Sequence, residues 1–326
     1  MGLLLSLSLA CSKTDDPASI GELMPEGLDH SPNILLIIAD DMGVDATPGY
    51  GLGTIQPHMP NLTQLQANGL TYDNVWSAPM CAPTRANIIT GKYGINSRVL
   101  NTSNAGTLPE TETTIQAYLD QQLGNLYATA LIGKWHLSNN ENNRPNEMGI
   151  DYFAGLIPGT ITNYNQWELT INGQTATNEE YITIQLTDLA IEWVNGQEKP
   201  WFCWLAYTAP HSHFHLPPAE MHSQGNLVDD PASVEVNPRP YYMAMIESID
   251  YEIGRLLSKI PTAERENTVV IFVGDNGSPG SVIQSPFLSN RSKGSLYEGG
   301  VHVPLVISGL GAVSYTHLTL PTILPV

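Results

Sequence analysis

The stretch Asn33-Ile34-Leu35-Leu36-Ile37-Ile38-Ala39-Asp40-Asp41 decides the fold. An uncharged run of this length, rich in Ile and Leu and free of polar alternation, predicts a strand buried on both faces, as in the interior of a parallel sheet. It stops abruptly at two carboxylates. Similar runs follow at 127–132, 201–208, 269–273 and 303–307, and the segments between them carry apolar residues at helical spacing. One predicted helix displays Ile115, Leu119 and Leu123, another Ile182, Leu186, Leu189 and Trp193, and a third Ile246, Ile249, Ile253 and Leu256 before Pro261 stops it. Strands alternating with helices define the α/β class. Asn172-Gly173, between Trp167–Ile171 and 174–177, predicts a small hairpin peripheral to the main sheet.

In open α/β sheets, ligands bind outside the carboxyl ends of the strands. Here those ends lead into Asp40-Asp41, Gly133-Lys134-Trp135-His136, Pro210-His211 and Gly274-Asp275-Asn276-Gly277. Carboxylates, a carboxamide, a lysine and imidazoles are therefore expected on one edge. Asp40, Asp41, Asp275 and Asn276 are all oxygen donors, which suits calcium or magnesium rather than zinc. Taken alone, Asp40-Asp41 reads as an ordinary solvated pair; taken as a set, the four residues read as a hard-cation site. His211, His213 and His215 alternate, so in extended structure they would share a face and offer a transition-metal site, a weaker reading without a carboxylate to complete it.

The chain has 326 residues, 42% of them hydrophobic, enough for a sizeable core. Thirteen Lys and Arg against 32 Asp and Glu give a net charge of −19, which argues against a nucleic-acid partner. Three cysteines, Cys11, Cys81 and Cys203, form neither a disulfide framework nor a Cys-x-x-Cys zinc pair. Cys203, inside Trp201-Phe202-Cys203-Trp204, reads as a core residue.

Cys81 reads differently. It opens Cys81-Ala82-Pro83-Thr84-Arg85, which is followed by Thr90-Gly91. This signature resembles that of the type I sulfatases, and five further blocks keep the family's order: 33–41 with Gly43, Gly133-Lys134-Trp135-His136-Leu137, Ala209-Pro210-His211, Asp275-Asn276-Gly277, and Ser292-Lys293-Gly294 leading to Glu298-Gly299-Gly300. The resemblance implies an alkaline-phosphatase-like fold, a mixed, mostly parallel sheet flanked by helices. It implies a calcium ion held by Asp40, Asp41, Asp275 and Asn276 together with modified Cys81. It also implies that a separate maturation enzyme converts Cys81 to formylglycine (3-oxoalanine). In that scheme the aldehyde hydrate attacks sulfur through one hydroxyl, and deprotonation of the other expels sulfate. Arg85 would orient the hydrate and His136 would take its proton. Lys134, His211 and Lys293 would bind sulfate oxygens, with His211 or Lys293 protonating the leaving alcohol.

The implied activity is that of a sulfuric ester hydrolase, acting on a sulfated small molecule or carbohydrate. Two alternatives stand beside it: a phosphonate or phosphate ester hydrolase of the same superfamily, and an inactive anion- or calcium-binding surface protein. Tyr152, Phe153, Tyr164 and Trp167 are candidates for sugar contact and equally for the core.

Residues 1–11 read as an export signal resembling the end of a bacterial lipoprotein signal, with Cys11 as the lipidated residue. A polar linker follows over 12–31, then a catalytic domain over 32–311 and an atypical tail over 312–326. The expected location is the periplasm or the cell surface, anchored by lipid at Cys11. The resemblance implies a smaller C-terminal subdomain, which this division is expected to lack. His302 falls where relatives place a basic residue.

Overall fold

The computed structural model describes residues 31–103 and 106–311. The export signal, Cys11 and the 312–326 tail lie outside them.

Asn33–Ala39 forms β1, as its uninterrupted apolar run requires, and it lies fourth in a sheet of nine strands among the described residues. With β2 (Gly69–Thr71), β3 (Ala128–Lys134), β4 (Tyr152–Leu156), β5 (Trp167–Ile171), β6 (Gln174–Asn178), β7 (Trp201–Ala206), β8 (Thr268–Gly274) and β9 (Leu305–Gly309), the order is β2-β9-β8-β1-β7-β3-β4-β5-β6. The five strands from β8 to β4 run parallel. Both flanks are antiparallel.

Strand pleating sends alternate residues to opposite faces, and each face has its own core. Leu35, Ile37, Cys203 and Leu205 face one layer, which holds α1 (Pro60–Ala67), α4 (Ile182–Asn195) and α5 (Pro238–Lys259). Leu36, Ile38, Phe202 and Trp204 face the other, which holds α2 (Cys81–Thr90) and α3 (Ile115–Leu123). Helix on sheet on helix results. Cys203 is fully buried in the strand, as its sequence context implied.

The helix ends follow local chemistry. Thr114 caps α3 by accepting the Ala117 N–H at 3.2 Å, and Gly124 closes it in the left-handed conformation. The first turn of α1 is capped from a distance: the Asp250 carboxylate on α5 accepts the Asn61 and Leu62 N–H groups at 3.0 and 2.7 Å. That buried carboxylate ties two helices of one layer together.

The 172–173 hairpin is peripheral, and it belongs to the main sheet: β5 pairs with β4, so β5 and β6 extend it to one edge. Two details differ from the sequence reading. The final strand begins at Leu305 rather than 303, because Pro304 has no N–H for the ladder and supplies only its carbonyl, to Gly274 N–H at 3.2 Å. Strands β2 and β4 went unread. β4, Tyr-Phe-Ala-Gly-Leu, has neither a β-branched residue nor a polar alternation to mark it.

Candidate active site

The sheet gathers chemistry at the carboxyl ends of its central strands. β1 delivers Asp40 and Asp41, β3 delivers Lys134 and then His136, β7 leads to His211, and β8 delivers Asp275 and Asn276. Cys81 enters from the side as the first residue of α2. Lys293 arrives on the loop before the short helix Glu298–Val301.

Close strand approach makes this possible. Gly133 has φ +110°, and a β-carbon there would lie 1.9 Å from the Ala206 carbonyl oxygen of β7. Only glycine fits, and the chain then turns Lys134 inward. His136 takes φ 57° and Asp41 φ 73°, both left-handed, so the backbone bends sharply as each strand ends. The His136 ring lies against Gly159, where a β-carbon would come within 2.1 Å of Nε2.

Three carboxylates meet three cations. Asp275 Oδ2 accepts from Arg85 Nε and Nη2 at 3.1 and 2.8 Å, and Arg85 Nη1 donates to the Lys134 carbonyl at 2.9 Å. Lys134 Nζ pairs with Asp40 Oδ2, which also lies 3.8 Å from Arg85 Nη2. Lys293 Nζ donates to Asp41 Oδ2 at 2.6 Å, and His211 Nε2 is 3.7 Å from the same oxygen. Asp275 Oδ1 accepts the Asp41 N–H at 3.0 Å, and Asn276 Nδ2 donates to Asp41 Oδ1 at 2.8 Å. All the carboxylates are buried, as are Arg85 and Lys134; His211 keeps 8% exposure and the Lys293 side chain 20%, and so they form the mouth of the site.

Cys81 Sγ lies 3.3 Å from His136 Nδ1. Burial pushes the thiol pKa up, the Lys134 ammonium opposes this, and Asp40, Asp275 and Asp41 add to it. His136 is driven the other way, to about 2, by burial and then by Lys134, Arg85, His211 and Lys293. It is a neutral imidazole at physiological pH. Burial also raises the Asp275 carboxyl, with Asp40 repulsion adding to it and Arg85 opposing it. For Lys293, burial works to lower the pKa, but the combined pull of Asp41, Asp40 and Cys81 exceeds it and holds the ammonium above its ordinary value.

The donor set fits a hard divalent cation. Asp40 Oδ1 and Asn276 Oδ1 are buried and have no hydrogen-bond partner among the described residues, an expensive state for polar oxygens unless something binds them. Donor atoms of Asp40, Cys81 and Asp275 lie within 4.8 Å of one another, as do those of Asp40, Asp41 and His211. Oxygen-rich sets of this kind take calcium or magnesium.

All the sequence-derived site residues therefore meet at one edge. Arg85 grips Asp275 and the end of β3, and Lys134 is buried against Asp40. His211, His213 and His215 form no three-ligand group among the described residues. β7 ends at Ala206, well before them, and His215 instead stacks on Tyr164 with ring centroids 4.0 Å apart. Phe153 and Trp167 are core, and Tyr152 stacks on Trp193, which removes these three from sugar contact. His302 lies elsewhere, stacked on Trp76 and bonded through Nε2 to the Asp73 carbonyl at 2.7 Å.

The sequence reading missed the supports. Tyr242 OH donates to the Asp41 carbonyl at 2.8 Å and contacts Ser278 Oγ at 3.0 Å; Ser278 in turn donates to the buried Asp45 carboxylate at 2.8 Å. Tyr164 OH donates to the His211 carbonyl at 2.7 Å. Buried tyrosines on helical or loop segments carry no mark distinguishing them from core.

The sulfatase family model matches residues 32–314. Among curated proteins, the chain is 29% identical over 335 residues to the uncharacterized sulfatase YdeN of Escherichia coli (strain K12), covering 84% of this chain and 57% of that protein. It is 29% identical over 299 residues to arylsulfatase J of Mus musculus, covering 84% of this chain and 48% of that one. Among solved structures, Ps i-CgsB in complex with k-i-k-neocarrahexaose superposes with a TM-score of 0.71 at 26% identity, covering 86% of this chain and 66% of that one. The chain thus spans about half the length of these curated relatives.

Proposed function

The chain belongs to the sulfatase family, and on that premise we propose that it hydrolyses a sulfate monoester borne by a carbohydrate. One observation carries the reading: a buried cysteine at the start of α2, 3.3 Å from a neutral imidazole, beside an unsatisfied oxygen-donor set, with Lys293 and His211 at the mouth. The relative solved with a carrahexaose supports the carbohydrate class.

Oxidation of Cys81 to formylglycine by a maturation enzyme would supply an aldehyde hydrate, whose paired hydroxyls serve attack on sulfur and subsequent release of sulfate. A calcium ion held by Asp40, Asp41, Asp275, Asn276 and modified Cys81 would supply positive charge at that nucleophile and at the ester oxygens. The remaining work falls to side chains in hand. His136, neutral, accepts a proton at Nδ1, the nitrogen facing residue 81. Arg85 fixes Asp275 and the end of β3 as one rigid unit. Lys134 neutralises Asp40 from within the protein. Lys293 and His211, at the mouth, bind sulfate oxygens, and one of them protonates the leaving alcohol. Export, with lipid at Cys11, belongs to the same proposal.

The test is the full chain coproduced with a formylglycine-generating enzyme and assayed on matched aryl sulfate, phosphate and phosphonate esters. Sulfate hydrolysis should dominate and vanish in Cys81→Ala. A faster phosphonate or phosphate reaction would transfer the assignment to that class, and full activity in Cys81→Ala would overturn the nucleophile.

A further inference from the structure

A cavity of about 600 Å³ opens beside the site, and its walls start close to three site residues. One wall, Thr162 to Asn165, follows Gly159, which lies against the His136 ring. A second, Ser212 to His215, continues directly from His211. The third includes Ser281, just after Ser278, whose carbonyl accepts the Lys293 N–H at 3.1 Å. A group extending from an ester held by His211 and Lys293 would enter here.

The lining is unusual for a protein that binds sulfated ligands. Among the described residues it contains no Lys or Arg, but it does contain Asp229, Asp230 and Glu235. Asp230 is committed to the short helix Pro231–Val236, accepting the Ala232 and Ser233 N–H groups at 3.0 Å each. Asp229 and Glu235 are exposed, and their carboxylates make no hydrogen bond or salt bridge among the described residues. The rest of the lining is amide and aromatic: Asn163 and Asn165 offer both donors and acceptors, and Phe214 offers an apolar face, a combination suited to a hydroxyl-bearing ring.

We infer that this cavity receives the sugar ring on the leaving-group side, and that Asp229 and Glu235 select for an uncharged, hydroxyl-bearing ring and against a second sulfate beside the one being cleaved. The inference rests on the sulfate-ester reading and narrows its substrate class to sparsely sulfated carbohydrate. Hydroxyls donate to free carboxylates, whereas a sulfate brought among them meets like charge.

The test compares binding of two galactan hexasaccharides, one with one sulfate per disaccharide and one with two, by calorimetry on the full chain with Cys81 unmodified. The wild type should bind the singly sulfated sugar tighter by about fivefold at low salt, from one like-charge contact near the surface. The ratio should shrink as salt is added. The Asp229→Asn/Glu235→Gln variant should bring it below about twofold, by loss of that same contact. Equal or tighter binding of the doubly sulfated sugar, a ratio the variant leaves unchanged, or binding of neither sugar would each overturn the inference. Hydrolysis of a small aryl sulfate by the matured protein reports separately on the sulfate-ester reading.

Discussion

Arg85→Lys is the most informative single substitution in the site, because it keeps the charge and removes only the shape. Arg85 is 1% exposed and serves two acceptors at once: Asp275 Oδ2 through Nε and Nη2, at 3.1 and 2.8 Å, and the Lys134 carbonyl through Nη1, at 2.9 Å. A guanidinium spans both because its donors lie in a rigid plane; an ammonium is a point that reaches one or the other. Hydrogen bonds to charged groups contribute about 1.5–3 kcal/mol each, and some of the loss is recovered by the bond that lysine retains. We therefore expect Arg85→Lys to lose about 2–4 kcal/mol of stability. Arg85→Ala, which leaves Asp275 without its partner, should lose about 3–5 kcal/mol. Adding Asp275→Asn to Arg85→Ala should restore part of that, since the stranded charge is then gone. The assay is urea unfolding followed by tryptophan fluorescence, in chelator so that no cation compensates the carboxylates. An Arg85→Lys protein within about 0.5 kcal/mol of wild type would refute the account, since ordinary surface substitutions fall in that range.

Other expectations follow from particular contacts. His215 lies between Tyr164 and Tyr181; the His213 carbonyl can only accept from Nδ1, at 3.1 Å, so Nε2 takes the Tyr181 hydroxyl at 3.0 Å, and burial lowers the imidazole pKa from 6.5 to about 4. The unfolded chain therefore takes up this proton at higher pH than the folded one, so the contribution is complete above the unfolded value and is lost as pH falls towards the folded one, by up to about 3 kcal/mol. Unfolding curves across that window should show this slope, and His215→Phe should flatten it. Gly133→Ala places a β-carbon 1.9 Å from the Ala206 oxygen at φ +110°, and should cost at least about 3 kcal/mol in thermal or urea unfolding by forcing β3 from β7. The net charge of −19 repels anions at long range, so kcat/KM for a sulfate ester should rise as salt increases from a low value; a steady fall would contradict this.

The sequence made the site more legible than the sheet's edges. Asp40, Lys134 and Asp275 each follow a buried apolar run, so strand ends alone predict that they converge; Cys81 with Arg85 and the ordered blocks after it add the rest. What stayed hidden depends on partners distant in sequence. That Lys134 would turn into the protein onto Asp40 depends on the close β3–β7 approach at Gly133, which no local pattern announces. The same holds for Tyr242, 201 residues from the Asp41 carbonyl it supports, and for β2, whose three residues gain strand character only by pairing with β9. Short antiparallel edges are defined by what they join, whereas buried parallel strands are marked by their own composition.

The central claim is that Cys81 becomes the nucleophile of a sulfate-ester hydrolase. Mass spectrometry of the peptide spanning Cys81, after coproduction with a formylglycine-generating enzyme, tests it most directly. The account predicts that the thiol is replaced by the aldehyde or its hydrate, in the same preparation that hydrolyses an aryl sulfate. An intact thiol in a folded preparation that binds calcium and still hydrolyses the ester at full rate would contradict it.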